Sequence, residues 1–592
     1  MGSGIFGLGT SAMFAAQAAL DTTAHNISNV NTPGYSRQQV ELATENGLYT
    51  GAGFYGRGVK VVTVTRQTNE FLTRELNGST AQSSADQTRL DKLKQLESTL
   101  PTGESGLGYS ANQVLNAFVD VANAPQDYSA RQVAIARMQD FVSRVNNAGN
   151  QLNDLQAGVV SDMGTTVGTI NALTSQIANV NQEIARYQGS GHSPNDLLDK
   201  RDELVRQLNE QVSVNTVQAD DGTLSVFMSG GQLLVLSNQA ETLKMVRDPS
   251  DSTQARVALV TNGSDRILDS GQMTGGALAG LLTFQDQDLT HTREQLNTFV
   301  ANFTDAMNSQ QALGMDENGN LQTGFDASGN PVASSPLFTG TADATTLKLA
   351  MTSPRGIAAA SPLTATLATT NTGTAQIDSL TLARGLPSGT APDAATSLPT
   401  SGNDLKVIFE ADPSDPTVMT YRFEDASGNP YKDTTPARVW TAGTSINDAD
   451  PSSTPSTQLF DLNITGVPKD GDSITLSVTQ YPESNNGNAQ AFLGLRDQKI
   501  VSLDGSNYTT VTDAYSQMIG DLGVTVQAGQ SAADISKTQL SSAQQTLSST
   551  SGVNLDEEAA RLIQFQQSYQ AAAKVLQIAQ SIFTTLLQTA AG

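Results

Sequence analysis

Two stripes of apolar residues, one toward each end of a 592-residue chain, constrain the fold more than any other feature. Ile5, Leu8, Ala12, Ala15 and Ala19 recur at alternating spacings of three and four. Near the other end Leu562, Phe565, Tyr569, Ala572, Leu576, Ala579, Phe583 and Leu586 do the same without a break. Two apolar positions in every seven residues is the period of a helix that packs lengthwise against another helix. An ordinary amphipathic helix lying on a core has a similar spacing, so each stripe alone is ambiguous. The stripes differ in bulk, small residues in the first and large ones in the second, which suits close pairing. If they pair, the two ends meet and the middle is pushed outward as insertions.

The rest of the chain reads as such a nest. Thr32-Pro33-Gly34-Tyr35 forms a turn, because proline presets φ and glycine accepts a positive one. Strands are expected at 36–42 and 59–65, with a long glycine-rich loop at 46–58 between them. Helix is expected from about Asn69 to Gln188. Within it Leu90, Leu93 and Leu96 share one helix, and Ile170, Leu173, Ile177, Val180, Ile184 and Tyr187 form a further coiled-coil-like seam. Leu224, Val226 and Met228 alternate toward Gly230-Gly231, and Leu233 and Val235 alternate back, as in a hairpin. Beyond 330 threonine, serine, proline and aspartate dominate and alternation replaces helical spacing, as at Leu405, Val407 and Phe409 and at Ile474, Leu476 and Val478. Stretches 386–402 and 448–456 read as loops. Helix resumes near Tyr515, breaks near Gly523 and ends at 548–552.

The fold class is therefore mixed and multidomain: α-helical, coiled-coil terminal and inner domains formed by both chain ends, with β-rich inserted outer domains. A helix within 1–35 pairs with one within 553–592. A mainly helical inner domain covers 36–330, holds a small β unit at 212–275 and is completed by 485–552. Residues 331–484 form the outer β-rich part.

Composition removes several function classes. The formal net charge is −25, and no basic cluster offsets it, so a nucleic-acid partner is not expected. There is no cysteine, hence no disulfide framework, thiol nucleophile or Cys-ligated zinc. No apolar run reaches the ~18 residues of a membrane span. The first basic residue is Arg37, so the charged head of a cleaved signal peptide is missing and another export route is expected.

Catalytic and ligand motifs fare no better. Gly2, Gly4 and Gly7, and again Gly51, Gly53 and Gly56, match G-x-G-x-x-G, but neither set follows a strand and opens a helix. Asp316–Asn320 resembles the start of a calcium loop, yet Leu321 and Ala327 stand where glycine and a bidentate glutamate belong, so a β-turn is expected. His25, His192 and His291 lie far apart with no H-E-x-x-H, and no G-x-S-x-G elbow is present. Glu557 and Glu558 open the last helix, where acidic residues favour its N-terminus. No catalytic, cofactor or metal site is expected.

The segment Ala19–Gln38, through Asn26, Asn29, Asn31 and Thr32-Pro33-Gly34-Tyr35-Ser36-Arg37-Gln38, resembles the N-terminal signature of flagellar rod, hook and hook-associated proteins. Its Tyr-Ser-Arg-Gln ending, Asn195–Asp202, Asn488–Ala491 and the stretch from Asn554 to Val575 are similar to hook-associated protein 1, the FlgK family. The resemblance fades between about 364 and 481. It implies a structural, non-enzymatic subunit of the hook–filament junction that leaves the cell by type III export and assembles into a homo-oligomeric ring. Hook subunits would lie on one side and a second junction protein or filament on the other, and an export chaperone would bind the C-terminal helix. The stripe residues and Asn26, Asn29 and Asn31 would form the assembly interface. Two alternatives stay open: another axial subunit, such as hook or the second junction protein, or a surface adhesin that binds through the outer β domain near Trp440.

Overall fold

The computed structural model describes residues 2–50, 53–187, 193–261, 263–325, 331–382, 404–431, 438–447 and 460–590. Its helices are α1 (Gly2–Ser28), α2 (Glu70–Thr99), α3 (Leu107–Asn123), α4 (Tyr128–Tyr187), α5 (Asn195–Gln211), α6 (Gly276–Thr283), α7 (Thr290–Ala312), α8 (Gly487–Gly494), α9 (Val511–Ser551) and α10 (Leu555–Ala590). The chain forms two compact units. The first comprises Met1–Gln95, Leu155–Leu289 and Thr525–Gly592, the second Leu96–Asp154 and Thr290–Val524.

In the first unit α1 and α10 run antiparallel. Phe6 meets the ring of Phe583 edge-on at 6.2 Å, and twenty residues further along α1 Asn26 reaches Glu558. The turn after α1 forms as expected: the Tyr35 N–H donates to the Thr32 carbonyl at 3.2 Å, with Gly34 at φ +77°. Strand Gln38–Thr44 then pairs antiparallel with Val59–Arg66. The loop expected at 46–58 instead extends this ribbon, because Leu48–Thr50 pairs with Gly53–Tyr55. Aromatic residues there favour extended backbone strongly enough to outweigh the glycines.

The α4 seam is buried at Ile170, Leu173, Ile177, Val180 and Ile184, while Tyr187 is exposed. Strands contribute to its surroundings. The Asn171 side chain donates to the Leu243 carbonyl at 2.8 Å and accepts from the Leu243 N–H at 2.9 Å. Asn181 makes the same exchange with Leu224, at 2.8 and 3.1 Å. Each amide thus completes the hydrogen bonding of a strand residue from the side of a helix. The β unit is larger than one hairpin. Four strands (Val214–Gln218, Leu224–Met228, Leu233–Leu236, Gln239–Ala240) form one sheet, and three (Thr242–Arg247, Ala255–Thr261, Ser264–Ile267) another. A register shift beside Val226 buries Leu234 next to Val235 and leaves Leu233 half-buried, so the return strand does not alternate strictly.

The second unit packs helices around aromatic pairs. Phe118 stacks on Phe492 at 4.3 Å, and Phe141 meets Phe303 at 4.9 Å. Arg131 is fully buried and donates through Nε to the Pro125 carbonyl and through Nη1 to that of Ile357, both at 2.8 Å. Burial holds its pKa below the ordinary arginine value. Helix α9 passes Gly523 without the expected break. One interior glycine costs a helix only about 1 kcal/mol, and the buried Met518 and Leu522 hold this stretch in place. Asp316 accepts from the N–H groups of Asn318 and Asn320, with Gly319 at φ +81°, which is the expected turn. Stretches 386–402 and 448–456 and His192 lie outside the described residues.

The same unit carries a β-sandwich. A five-stranded sheet runs in the order Leu363–Leu367, Ser473–Val478, Leu405–Asp412, Asp415–Glu424, Arg438–Val439, beside a three-stranded sheet of Gln376–Leu382, Phe460–Thr465 and Ile446–Asn447. Val407, Phe409, Phe423, Phe460, Leu462, Ile474 and Leu476 are its core. Entry and exit meet, since the Thr479 N–H donates to the Pro362 carbonyl at 2.9 Å. Replacing 363–478 by Gly-Ser is therefore expected to leave a folded remainder with one cooperative helical melt by circular dichroism. A broadened or lost transition would show that the sandwich supports the helices.

Asp472 is buried between sandwich strands and accepts from the N–H groups of Thr372, Gly373 and Lys469 at 2.7–2.9 Å. Burial pushes its carboxyl up, but these bonds outweigh that and hold it below the usual range. A depressed folded-state pKa gives stability that is present above the unfolded value of about 3.9 and lost as pH falls through the folded one. Asp472→Asn is expected to cost about 2 kcal/mol at neutral pH and to flatten the loss of stability below about pH 4. The only tryptophan, Trp440, packs against this core, so its fluorescence during urea titrations at several pH values measures both.

Candidate assembly site

The two helices of the terminal pair meet along a seam and are rooted in a buried polar joint. On α1 the seam consists of Gly9, Ala12, Ala16, Ala19, Thr23 and Asn26, all buried except the half-buried Ala12, with Ala15 buried beside it. On α10 it consists of Glu558, Leu562, Phe565, Tyr569, Ala572, Leu576 and Ala579, all buried or half-buried. Small residues let the helix axes approach. A Cβ placed on Gly9 would lie 2.9 Å from Cγ and Cδ2 of Leu576, closer than carbon atoms pack.

The polar joint lies at the root of the pair. Glu558, 1% exposed, accepts from Arg37 Nε at 2.8 Å on Oε1 and from Asn26 Nδ2 at 3.0 Å on Oε2, and Arg37 Nη2 stands as an ion-pair contact 2.7 Å from Oε1. The Asn26 side chain also exchanges hydrogen bonds with the backbone of Gln38, donating to its carbonyl and accepting from its N–H, both at 2.9 Å. Tyr35 donates through Oη to Asn26 at 2.8 Å. Burial first, then Asp199, Asp196 and Glu558, raise the Tyr35 pKa and keep the phenol protonated. The Arg37 N–H donates to the Ser551 carbonyl at 2.9 Å, which ties this segment to the end of α9. A second ion cluster adjoins: Arg66 Nη1 donates to Asp199 at 2.7 Å and Asp202 at 2.9 Å on α5. Burial works to lower the Arg66 pKa, but Asp202 and Asp199 outweigh it and hold it above its ordinary value. Buried charges of opposite sign at these distances satisfy one another.

The sequence-derived residues divide between this seam and the surface. Ala12, Ala15, Ala19, Asn26, Leu562, Phe565, Tyr569, Ala572, Leu576 and Ala579 are brought into or beside the seam. Ile5, Leu8, Phe583 and Leu586 are exposed, although Phe583 touches Phe6. Asn29 is half-buried and donates to the His25 carbonyl at 3.1 Å, while Asn31 is exposed in the turn. Glu558 does more than favour a helix N-terminus, being the partner of Arg37. Gly9 and Thr23 escaped the apolar count because glycine and threonine do not register in it, and Ala16 was passed over for its neighbour Ala15. A signal was present nonetheless. Asn26 continues the heptad of Ile5, Ala12 and Ala19, and Glu558 that of Phe565, Ala572 and Ala579, so each is a polar residue at a packing position.

A terminal helix pair is thus rooted in a helical and β-containing unit, and comparison with known proteins identifies the family that carries it. The model for the helical domain of flagellar hook-associated protein FlgK matches residues 93–326. The model for the flagella basal body rod protein matches 8–35, and that for the C-terminal part of the flagellar basal body rod FlgEFG proteins matches 543–589. Flagellar hook-associated protein 1 of Salmonella typhimurium is 31% identical over 98% of both chains. The Escherichia coli protein is 29% identical over 98% of both, and that of Bacillus subtilis 25% identical over 97% of this chain and 96% of its own. The solved structure of the flagellar hook junction protein FlgK from Burkholderia pseudomallei shares the fold, with a TM-score of 0.63 at 24% identity over 81% of this chain and all of that one. The chain belongs to the flagellar hook-associated protein 1 family, structural proteins of the flagellum.

Proposed function

We propose that this chain is the structural subunit that joins hook to filament, and that it assembles into a ring through its α1–α10 pair after export. One observation supports this above all. The pair buries its own seam yet leaves apolar side chains outside: Ile5, Leu8, Leu586 and Leu587 where the seam runs on toward its free end, and Phe14, Ile563, Ile578 and Ile582 off the seam. Apolar surface of this extent along two adjacent helices calls for a partner, and copies of the same pair offer a repeating one. Hook subunits lie on one side of the ring, and a second junction protein or the filament on the other. Before export an export chaperone covers α10, whose stripe is then unpaired. No helix among the described residues is long and apolar enough to cross a membrane. The seam, the joint and the outward face carry recognition without chemistry, and the reading needs no cofactor. Gold-labelled subunits imaged on intact flagella are expected at a single band where hook meets filament. Label spread along the filament or hook would refute the junction reading.

A further inference from the structure

We infer that the axial register of α10 against α1 is set at two points, a steric key at Gly9–Leu576 and a polar key at Asn26–Arg37–Glu558, and that these residues act as positioning residues for the outward face. The inference deepens the assembly reading and rests on it for its purpose, though not for its test.

Between the keys the seam holds little that distinguishes one register from another. Ala12, Ala16 and Ala19 face Leu562, Phe565, Tyr569 and Ala572. An apolar repeat of seven matches itself again after a slip of one heptad, so hydrophobic burial alone leaves the register open. Something else must choose. At one end, Leu576 fits where Gly9 has no side chain; a residue with a Cβ at that level, such as Ala16 after a slip of one heptad, would bring that atom to 2.9 Å, while a heptad slip the other way meets Gly2 and is opposed by the polar key alone. At the other end, Glu558 finds Arg37 and Asn26 in one register only. The keys are seventeen residues apart on α1 and eighteen on α10, about 26 Å along the helices. Two fixed points that far apart determine both position and tilt.

The keys differ in kind, and that adds discrimination. A slip of one turn brings Leu576 against a residue with a Cβ and simultaneously leaves the buried Glu558 carboxylate without its guanidinium. Neither fault relieves the other. Helix-interior glycine is itself unfavourable relative to alanine, so Gly9 is retained at a cost that close approach explains. Register matters because it fixes where the exposed Phe14 of α1 falls between the exposed Ile563 and Ile578 of α10. A heptad slip moves it along the pair by roughly 10 Å and rearranges the outward face.

The chain has no cysteine, so Gln17→Cys with Gln580→Cys, both exposed and about 20 Å from level along the pair, give two unique spin-label sites whose distance reports axial slip in the full-length subunit. Double electron–electron resonance on the free subunit is expected to show one narrow distance. Gly9→Ala is expected to broaden it or add a population displaced by roughly 4–8 Å, as a slip of one turn to one heptad gives for labels so offset, and Leu576→Ala in the same chain to restore the single peak. Arg37→Met with Glu558→Leu keeps apolar bulk at the joint while removing the polar key. It is expected to retain the helical circular-dichroism signal and split the distance distribution. An unchanged single peak in Gly9→Ala, failure of Leu576→Ala to restore it, or a single native peak in the Arg37→Met/Glu558→Leu chain would overturn the inference. A purely structural role predicts lower stability at unchanged distance. Because the measurement uses unassembled protein, it stands or falls independently of where the subunit sits in the flagellum.

Discussion

Cells whose only copy of this subunit carries Ile578→Asp and Ile582→Asp are expected to have hooks without filaments, while the purified variant unfolds at the wild-type temperature. Both isoleucines are exposed, at 56% and 44%, one helical turn apart on α10. In the free subunit they face water, where surface substitutions cost at most about 0.5 kcal/mol each. In an assembled ring each buried isoleucine is worth about 1.5–3 kcal/mol, and an unpaired carboxylate in its place costs several more. The penalty repeats in every subunit, so assembly fails even where monomer folding does not. Leu576→Asp is the contrast. That side chain packs on Gly9 of its own chain, so the change weakens the pair within the subunit and lowers its protection against protease. The checks are filament counts by electron microscopy and differential scanning calorimetry of the purified chains. Normal filaments on cells carrying the double aspartate would show that this face has no partner.

The second large effect is expected at the joint. Glu558→Ala removes the nearest carboxylate of a guanidinium that is itself only 8% exposed and leaves it Glu557 at 3.4 Å; breaking a buried pair on one side costs about 3–5 kcal/mol. Asn26 loses an acceptor as well. The loss should appear where the pair opens: hydrogen exchange along α1 and α10 is expected to accelerate about a hundredfold or more, while α3, α7 and α8 keep their protection. Arg37→Met with Glu558→Leu is expected to recover much of the loss, since an apolar pair of similar bulk replaces the ionic one. Unchanged exchange in Glu558→Ala would mean that the helix pair does not depend on the joint.

Periodicity made the helices legible and bulk made the pairing legible. The stripes of Leu562–Ala579 and Ile170–Ile184 are long, and their spacing survives any environment that buries one face. What buries that face is not in the spacing, which is why the α4 seam suggested a helix where Asn171 and Asn181 show strands. The α1 stripe was displaced in one of its two columns, with Leu8 in place of Gly9, because close packing there selects for absence of a side chain, and a hydrophobic pattern cannot display an absence. Glycine-rich stretches misled in the same direction at 46–58 and at Gly523: glycine permits a loop or a break but does not compel either. The joint was hidden for a different reason. Arg37 and Glu558 are 521 residues apart, and only their family-like motifs hinted that they belong to one site.

The antiparallel meeting of Gly2–Ser28 with Leu555–Ala590 also orders events in time. Closing so long an intervening chain is entropically slow compared with folding its local helices. The residues that emerge early have no seam to bury until those near 590 have emerged too, so α1 waits while everything between is produced. A chain interrupted before α10 can fold its sandwich and its inner helices and still never acquire a closed pair. A subunit that stops short of α10 thus keeps the small-residue face of α1 uncovered, with Gly9 and Asn26 lacking the partners they meet in the full chain.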